Sequence, residues 1–522
     1  MSTSPITYPT GSARWILVIT AISCALLELI DTTVVNVSIR EISGNIGATT
    51  AEIAWVITAY SIANVIVIPL SGMLSNYFGR RLYFTGSVAL FTVASLFCGL
   101  SGNLWTLVLW RFIQGLGGGG LLSTAQSIIM DAFPPEERTT GLTVFSLGVI
   151  VGPSFGPVLG GFITDNLSWH WIFFVNLPIG IAASILSWNF VTNLAGVGKP
   201  RIDWPGIIFL VIGIGSLQYV LEEGTTKDWF ESEEITRFFI LSLISLTAFV
   251  IREFSIDYPA VNLRLYKSFN LAMGSMMNLI VGIIMTGTLF IFPLFVQVSL
   301  GWTATQTGAF LIPGSLAIIP GVIAVKKLQD KGVNPKAIVL SGLTMTFTYL
   351  FLLSFSAPES NADNFFWPFI LRGFGAIFMV MPVLALAVAG LTGKELAQAV
   401  GLSNMLRQLG GAIGVALINI YLSHQNAFIR TNMIDHISDY NAISSERLSG
   451  LAQTFSSTGY SQDEAMGAAY QTLDGALTKQ QLLVGYDHGF MAIAFILILC
   501  VPIVLLIRYK RSAGPKPEMD AH

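Results

Sequence analysis

Fourteen apolar stretches run through this chain, beginning near residues 15, 53, 82, 105, 139, 171, 205, 236, 269, 306, 337, 365, 399 and 488. Each approaches the roughly 20 residues that a helix needs to cross a bilayer. No other feature narrows the possible folds so far. In lipid the backbone polar groups must be satisfied within the segment itself, so such stretches are predicted helices. Composition agrees: 53% of the 522 residues are hydrophobic and only 11% are charged, with a mean hydropathy of +0.69. A soluble domain carries about 25% charged residues. The polar surface is too small to coat a globule of this size. The chain is therefore expected to be an all-α integral membrane protein. Its first apolar run is long and is not followed by an A-x-A site, so it does not read as a cleaved signal.

Lys and Arg in short loops set orientation. With the N-terminus inside, 18 of the 27 basic residues fall in inside loops, among them Arg14, Arg80, Arg81, Lys326, Lys336 and Lys510. Arg40, Lys227, Arg237, Arg430, Arg447 and Lys479 fall outside, and Arg111, Arg372 and Arg407 fall within spans. This bias predicts that both termini are cytoplasmic and that the span count is even.

Six spans precede residue 192 and six follow residue 269. Residues 1–192 read as an N-terminal six-helix bundle and 269–522 as a C-terminal one. The region 193–268 adds two transmembrane helices with linkers, a basic "NLAGVGKPRIDWPG" and an acidic "EEGTTKDWFESEE". Duplicated bundles place a substrate site at their interface, near the midplane. One polar loop is long, 424–487, and has helical periodicity in "SERLSGLAQTF" and "DEAMGAAYQTLDGAL". It reads either as a solvated helical cap or as a docking surface for a periplasmic partner.

Several classes drop out. Gly115, Gly117 and Gly120 in "RFIQGLGGGG" match G-x-G-x-x-G, but the strand, helix and aqueous phosphate of a dinucleotide site are missing. No G-x-x-x-x-G-K-[ST] occurs, which argues against an ATP-driven pump. Cys24, Cys98 and Cys500 all lie in spans, so no disulfide framework or CxxC metal site is expected. No H-x-x-x-x-D or Cys/His constellation supports a membrane enzyme. A net charge of −3 gives no reason to expect nucleic acid.

In a membrane small residues mark close helix packing. The glycines of the fourth span fit that role. In the fifth span Gly148, Gly152, Gly156 and Gly160 recur every four residues and make one smooth face. Pro153 and Pro157 repeat at the same interval. They free backbone groups, so this span is expected to bend and to slide on a partner.

Charges inside the bilayer cost about 2.5–3.5 kcal/mol each on insertion scales, so they point to function. The first span holds Glu28 and Asp31, three apart and on one face. These two are expected to be the only carboxylates deep in any span. Asp31 sits roughly 24 Å past Trp15 at 1.5 Å per residue, about 6 Å short of the outer boundary. Arg111 sits roughly 9 Å past Trp105 from that same boundary. The matching depths predict an ion pair, with Glu28 and Asp31 titrating as one coupled unit. Arg372 is the approximate counterpart of Arg111 in the second half. Arg407 lies near the midplane. Each of the two either binds an anionic substrate or holds helices together.

Together these segments resemble the major facilitator superfamily, and within it the fourteen-span drug:proton antiporters of the EmrB type. "LIDTTVVNVSI" (29–39) is similar to the first-span motif, whose functional aspartate falls at Asp31. "GMLSNYFGRR" (72–81) resembles the loop motif, with gating and packing positions Gly72, Asn76, Gly79 and Arg80. "RFIQGLGGGG" carries the proton-coupling arginine at Arg111. "GVIVGPSFGPVLGG" resembles the antiporter motif, and "WHWIFFVNLPIG" the sixth-span signature. Asn76 stands where that family has aspartate, Arg40 where it has proline and His170 where it has arginine. Glu28 belongs to no motif.

The resemblance implies alternating access and export of hydrophobic drugs or toxic compounds across a bacterial inner membrane. The proton would be the coupling ion, with no other cofactor. It also implies a periplasmic adaptor and an outer-membrane channel as partners. The cavity is expected between spans one, four, nine and twelve, with Gln114, Met285, Phe292, Arg372, Phe374, Phe378, Asn404 and Arg407 as candidate contacts. A dedicated exporter of an endogenous metabolite, such as a fatty acid or siderophore, is the alternative. A passive facilitator is a further one.

Overall fold

A computed structural model describes residues 9–134, 137–192, 202–357, 360–388, 391, 393–434 and 442–507. The basic linker at 193–201 and both ends of the chain lie outside these residues, as do the side chains of Pro153 and Pro157. Among the described residues the chain is built from α-helices, with short 3₁₀ turns and no strand.

The first bundle comprises α1 (Gly11–Ile46), α2 (Thr50–Phe78), α3 (Arg80–Gly99), α4 (Leu104–Gly118), α5 (Leu121–Ala132), α6 (Arg138–Asn166), α7 (Trp171–Phe174) and α8 (Asn176–Phe190). Two further helices follow, α9 (Trp204–Glu223) and α10 (Glu233–Ser255). The second bundle has α11 (Phe269–Val298), α12 (Ala304–Leu316), α13 (Ile318–Asp330), α14 (Pro335–Leu353), α15 (Ala362–Ala387) and α16 (Gly393–Ile434). It ends with α17 (Ala442–Ser457), α18 (Gln462–Ile496) and α19 (Cys500–Leu506).

Each of the fourteen apolar stretches is helical. Among the described residues, twelve are long and apolar enough to cross a membrane by length and composition alone. The other two are α4–α5, interrupted at Gly119 and Gly120, and α6. Local sequence explains many ends. Thr49 and Glu52 form a capping box on α2, and Ser461 and Glu464 form one on α18. Asp203 caps α9 with proline just inside it. Gly79 joins α2 directly to α3 at φ 87°, a conformation that only glycine adopts without strain.

The glycine stripe of α6 meets α1 as expected. A Cβ on Gly152 would lie 2.7 Å from Leu26 Cδ2, and one on Gly160 would lie 3.0 Å from the Val34 carbonyl oxygen. A larger residue at either position would make its neighbour on α1 shift.

The bundles meet along two seams. On one, α6 runs beside α12 and α13, with Gly161 against Thr305 at one end and Lys326 Nζ donating to Thr140 Oγ1 at 3.2 Å near the other. On the other, α2 crosses α16 near Gly72 and Gln398. The added pair α9–α10 covers this second seam: Leu210, Ile214 and Phe249 pack with Val65, Ile66 and Leu70 of α2 and Leu402 of α16. Near the end that carries Arg80 and Lys326, Met130 of α5 packs with Leu271, Ala387, Leu396 and Val400 of the second bundle. The bundles are closed against each other there.

Among the described residues, 424–434, 442–457 and 462–487 of the polar region are helical. α16 continues to Ile434 and α18 starts at Gln462, with α17 between them. Arg430 ties the two long helices together, pairing with Asp474 at 2.6 Å and donating to Thr478 at 3.1 Å.

Candidate functional site

The first-span acids lie on neighbouring turns of α1, and both are buried. Arg111 reaches Asp31 from α4, its guanidinium 2.5 Å from Asp31 Oδ2. Side-chain exposure is 1% for the arginine and 0% for the aspartate. This is the pair that matching depth along two helices predicts.

The rest of the shell was not legible in the sequence. Gln114, one turn after Arg111, accepts from its guanidinium at 2.7 Å and donates to Asp31 Oδ1 at 3.0 Å. Asn176 at the start of α8 donates to the same Oδ1 at 2.9 Å and to Ser95 Oγ at 3.1 Å. Arg111 Nε donates to the Val56 carbonyl at 3.2 Å, and the guanidinium lies 4.1 Å from the centre of the Tyr60 ring. Both carboxylate oxygens thus have donors. A buried ion pair is tolerated only when its remaining polar atoms are satisfied in this way. Asn176 stands inside the "WHWIFFVNLPIG" signature, so an amide in an apolar run was the available clue.

Glu28 is held differently. Asn64 of α2 donates to Oε1 at 3.0 Å, and the backbone N–H of Leu122 donates to Oε2 at 3.2 Å. Both donors are neutral. That N–H is free because the helix breaks at Gly119–Gly120 and restarts, leaving the first amides of α5 without partners along the helix. The glycine-rich segment therefore serves helix contact. A Cβ on Gly115 would lie 2.5 Å from the Tyr60 carbonyl oxygen, and one on Gly119 would lie 2.5 Å from that of Asn64.

Across the seam α16 presents Asn404 and Arg407. Asn404 donates to Gln126 Oε1 at 3.3 Å and to Ser123 Oγ at 3.4 Å, both on α5. Arg407, one turn on, lies within electrostatic range of Glu28. Among the described residues it has no ion pair or hydrogen bond. These two groups sit at the interface between bundles.

Other expected cavity contacts are elsewhere. Gln114 is fully buried in the ion-pair shell and does not line a cavity. Phe292, 1% exposed, is inside the second bundle, 4.5 Å from Phe369 ring to ring and also against Phe310 and Phe365. Phe378 and Phe374 pack together between α13, α14 and α15. Met285 is partly buried against the same bundle's core. Arg372 lies over the Phe369 ring at 5.6 Å. An apolar side chain on a helix carries no mark in sequence that separates a cavity wall from a bundle core.

In the loop motif, Arg80 pairs with Asp131 of α5 at 2.6 Å and donates to Ser127 at 3.3 Å. Its acid therefore comes from α5, not from position 76. Asn76 is partly buried and makes no hydrogen bond among the described residues. A Cβ built on Gly72 of α2 would lie 3.9 Å from Gln398 Cγ. His170 stacks on Trp169 at 3.8 Å, and partial burial pushes its imidazole below the usual range. Two further acids are buried, both near helix ends: Glu253 wholly in α10, and Glu223 at the end of α9. Acids near helix ends read as loop residues in sequence, and tertiary packing encloses them.

Residues 21–415 match the family model of the Major Facilitator Superfamily. The chain is 33% identical to the fatty acid resistance protein FarB of Neisseria gonorrhoeae over 492 residues, covering 94% of this chain and 95% of that protein. It is 31% identical to the multidrug export protein EmrB of Escherichia coli over 517 residues, covering 97% and 98%. Among solved structures, the human organic anion transporter MFSD10 superposes with a TM-score of 0.59 at 13% identity, over 95% of this chain and all of that one. With two packed bundles of membrane-spanning helices and a family match over most of its length, this chain belongs to the Major Facilitator Superfamily.

Proposed function

We propose that this protein exports hydrophobic, drug-like compounds across the inner membrane in exchange for protons. Likeness to EmrB over nearly the whole chain supports the drug-export reading. The buried Asp31–Arg111 pair is the observation that carries the coupling mechanism. In this mechanism a proton arriving from outside is taken up by the Glu28/Asp31 group. Protonating Asp31 removes the charge that holds Arg111, and the guanidinium must find new partners. α1 and α4 then shift, and the bundles rock about the α6 and α2–α16 seams, releasing substrate outward. Glu28 has only neutral contact donors, so protonating it breaks no ion pair. It is the natural first acceptor. With both termini cytoplasmic, the closed contacts around Met130 lie on the inner side. The end of α16 with α17 and α18 then projects outside, where a periplasmic adaptor leading to an outer-membrane channel would dock.

The test is a susceptibility panel with and without an uncoupler. Resistance that the uncoupler abolishes, together with drug-driven proton release from vesicles, is the expected result. Drug export that moves no protons would exclude coupling.

A second reading has its own support. FarB is a fatty acid resistance protein, and Arg407 at the bundle interface has no ion pair among the described residues. An exporter of amphiphilic anions fits both. A panel limited to fatty acids would select it.

A further inference from the structure

A surface groove of about 600 Å³ lies between the two added helices, α9 and α10. Phe209 of α9 and Ala248 and Ile251 of α10 give it an apolar lining. Arg252, Ser255 and Ile256 line it where α10 ends. Ala248 lies roughly 10 Å along the helix from Ser255. The same stretches expose Ile208, Ile244 and Phe254, and Trp204 in the first turn of α9 is 63% exposed. In a spanning hairpin such apolar surface faces acyl chains, and a tryptophan at a helix end marks the headgroup boundary. The groove therefore runs from acyl-chain depth to headgroup depth.

Its boundary end is cationic. Asp203, wholly buried, accepts from Arg252 Nε at 2.7 Å and pairs with Nη2 at 2.7 Å. That carboxylate fixes the guanidinium by one edge. A guanidinium has five donors, and among the described residues Arg252 has no other acceptor. Arg264, in the 3₁₀ turn Leu263–Lys267, donates from Nη2 to the carbonyls of Phe254 and Ile256 at 3.1 and 3.0 Å. Those carbonyls flank Ser255, so a second guanidinium stands at the same end of the groove. It also offsets the negative end of α10. Glu253 is turned elsewhere: it is fully buried and accepts from the Val261 N–H at 3.2 Å. An apolar groove that ends at two arginines, at headgroup depth, complements an acyl chain joined to a phosphate. We propose that it binds an anionic glycerophospholipid of the inner leaflet, its phosphate between Arg252 and Arg264 and one acyl chain along Phe209, Ala248 and Ile251. Arginine suits this role because its planar fork matches phosphate oxygens. The lipid would act on the closed seam. α9 and α10 cover α2 and α16, and Leu265, next to Arg264, packs with Met130 where the bundles meet.

The choice of leaflet rests on the orientation in the proposed function, but binding is measured without transport. Native mass spectrometry of the full-length protein in detergent counts lipid retained from added phosphatidylglycerol or phosphatidylcholine of equal chain length. Phosphatidylglycerol should bind about tenfold more tightly, the scale of one hydrogen bond to a charged group. Ala248→Trp fills the groove and leaves both arginines in place; it should weaken phosphatidylglycerol binding about tenfold. Arg264→Gln keeps the Asp203–Arg252 pair and should bring phosphatidylglycerol down to the level of phosphatidylcholine. Equal retention of the two lipids by the unaltered protein would overturn the proposal, as would full retention in both variants. Displacement of the lipid by inorganic phosphate would also overturn it, by showing a simple anion site. If Ala248→Trp does not insert, unaltered binding in Arg264→Gln decides against the site alone. Failure of the transport reading shows separately, as export that an uncoupler leaves untouched.

Discussion

The backbone N–H of Leu122 lies 3.2 Å from Glu28 Oε2. It points there because the chain interrupts one helix at Gly119–Gly120 and begins another. The start of a helix offers free amides and a partial positive charge, so it suits a carboxylate without a cation in contact. Glu28 and Asp31 therefore share one helix face yet have different supports: an amide and a helix start for one, a guanidinium for the other.

Glu28→Gln removes the charge and keeps an oxygen for one of its two donors. Stability should fall by less than about 2 kcal/mol, the range of one compromised hydrogen bond. The dependence of efflux on external pH should flatten. A melt in detergent and an efflux profile across pH measure the two. A profile like that of the unaltered protein would assign Glu28 to packing.

Asp31→Asn leaves the Arg111 charge buried with no counter-ion. Removing one partner of a buried pair costs about 3–5 kcal/mol. Removing the second charge as well, in Asp31→Asn with Arg111→Gln, should recover part of that loss, because the two effects are coupled. Both variants should lose uncoupler-sensitive efflux. Additive losses in the melts would mean that the pair is energetically idle.

The bundle architecture was legible because each apolar stretch states its own length, and lipid leaves a backbone no alternative to helix. Asp31 and Arg111 were legible because depth can be counted along two separate helices from their interfacial tryptophans. Asn64, Asn176 and the Leu122 amide were not. Each depends on which faces of three helices meet, and a single sequence does not give helix rotation. Phe292 and Phe378 failed for the same reason: their hydrophobicity suits a cavity and a core equally.

Gly115→Ala places a methyl 2.5 Å from the Tyr60 carbonyl oxygen. That atom is backbone, so α2 or α4 must move. Overpacking of this kind costs about 1–3 kcal/mol. Gly72→Ala, with an ordinary contact of 3.9 Å to Gln398, should stay within about 0.5 kcal/mol. Paired melting curves compare them. Equal melting points would mean that α2 and α4 are less tightly apposed than described.

Arg407 offers the sharpest test of substrate class. It shares a face of α16 with Asn404, which already bridges to Ser123 and Gln126 on α5. It has no ion pair among the described residues, and Glu28 lies within its field. A carboxylate on an amphiphilic substrate would meet it in a site of low dielectric. Hydrogen bonds to a charged group contribute about 1.5–3 kcal/mol, or roughly 10- to 150-fold in affinity. If the chain exports amphiphilic anions, Arg407→Gln should therefore abolish resistance to a fatty acid while sparing resistance to a cationic dye. The dye needs no guanidinium and is repelled by one. Arg372, stacked on Phe369 within the second bundle, serves as the control, because Arg372→Gln should weaken both resistances together through folding. If Arg407→Gln also lowers both equally, the guanidinium holds helices rather than substrates, and anion export would need another cation.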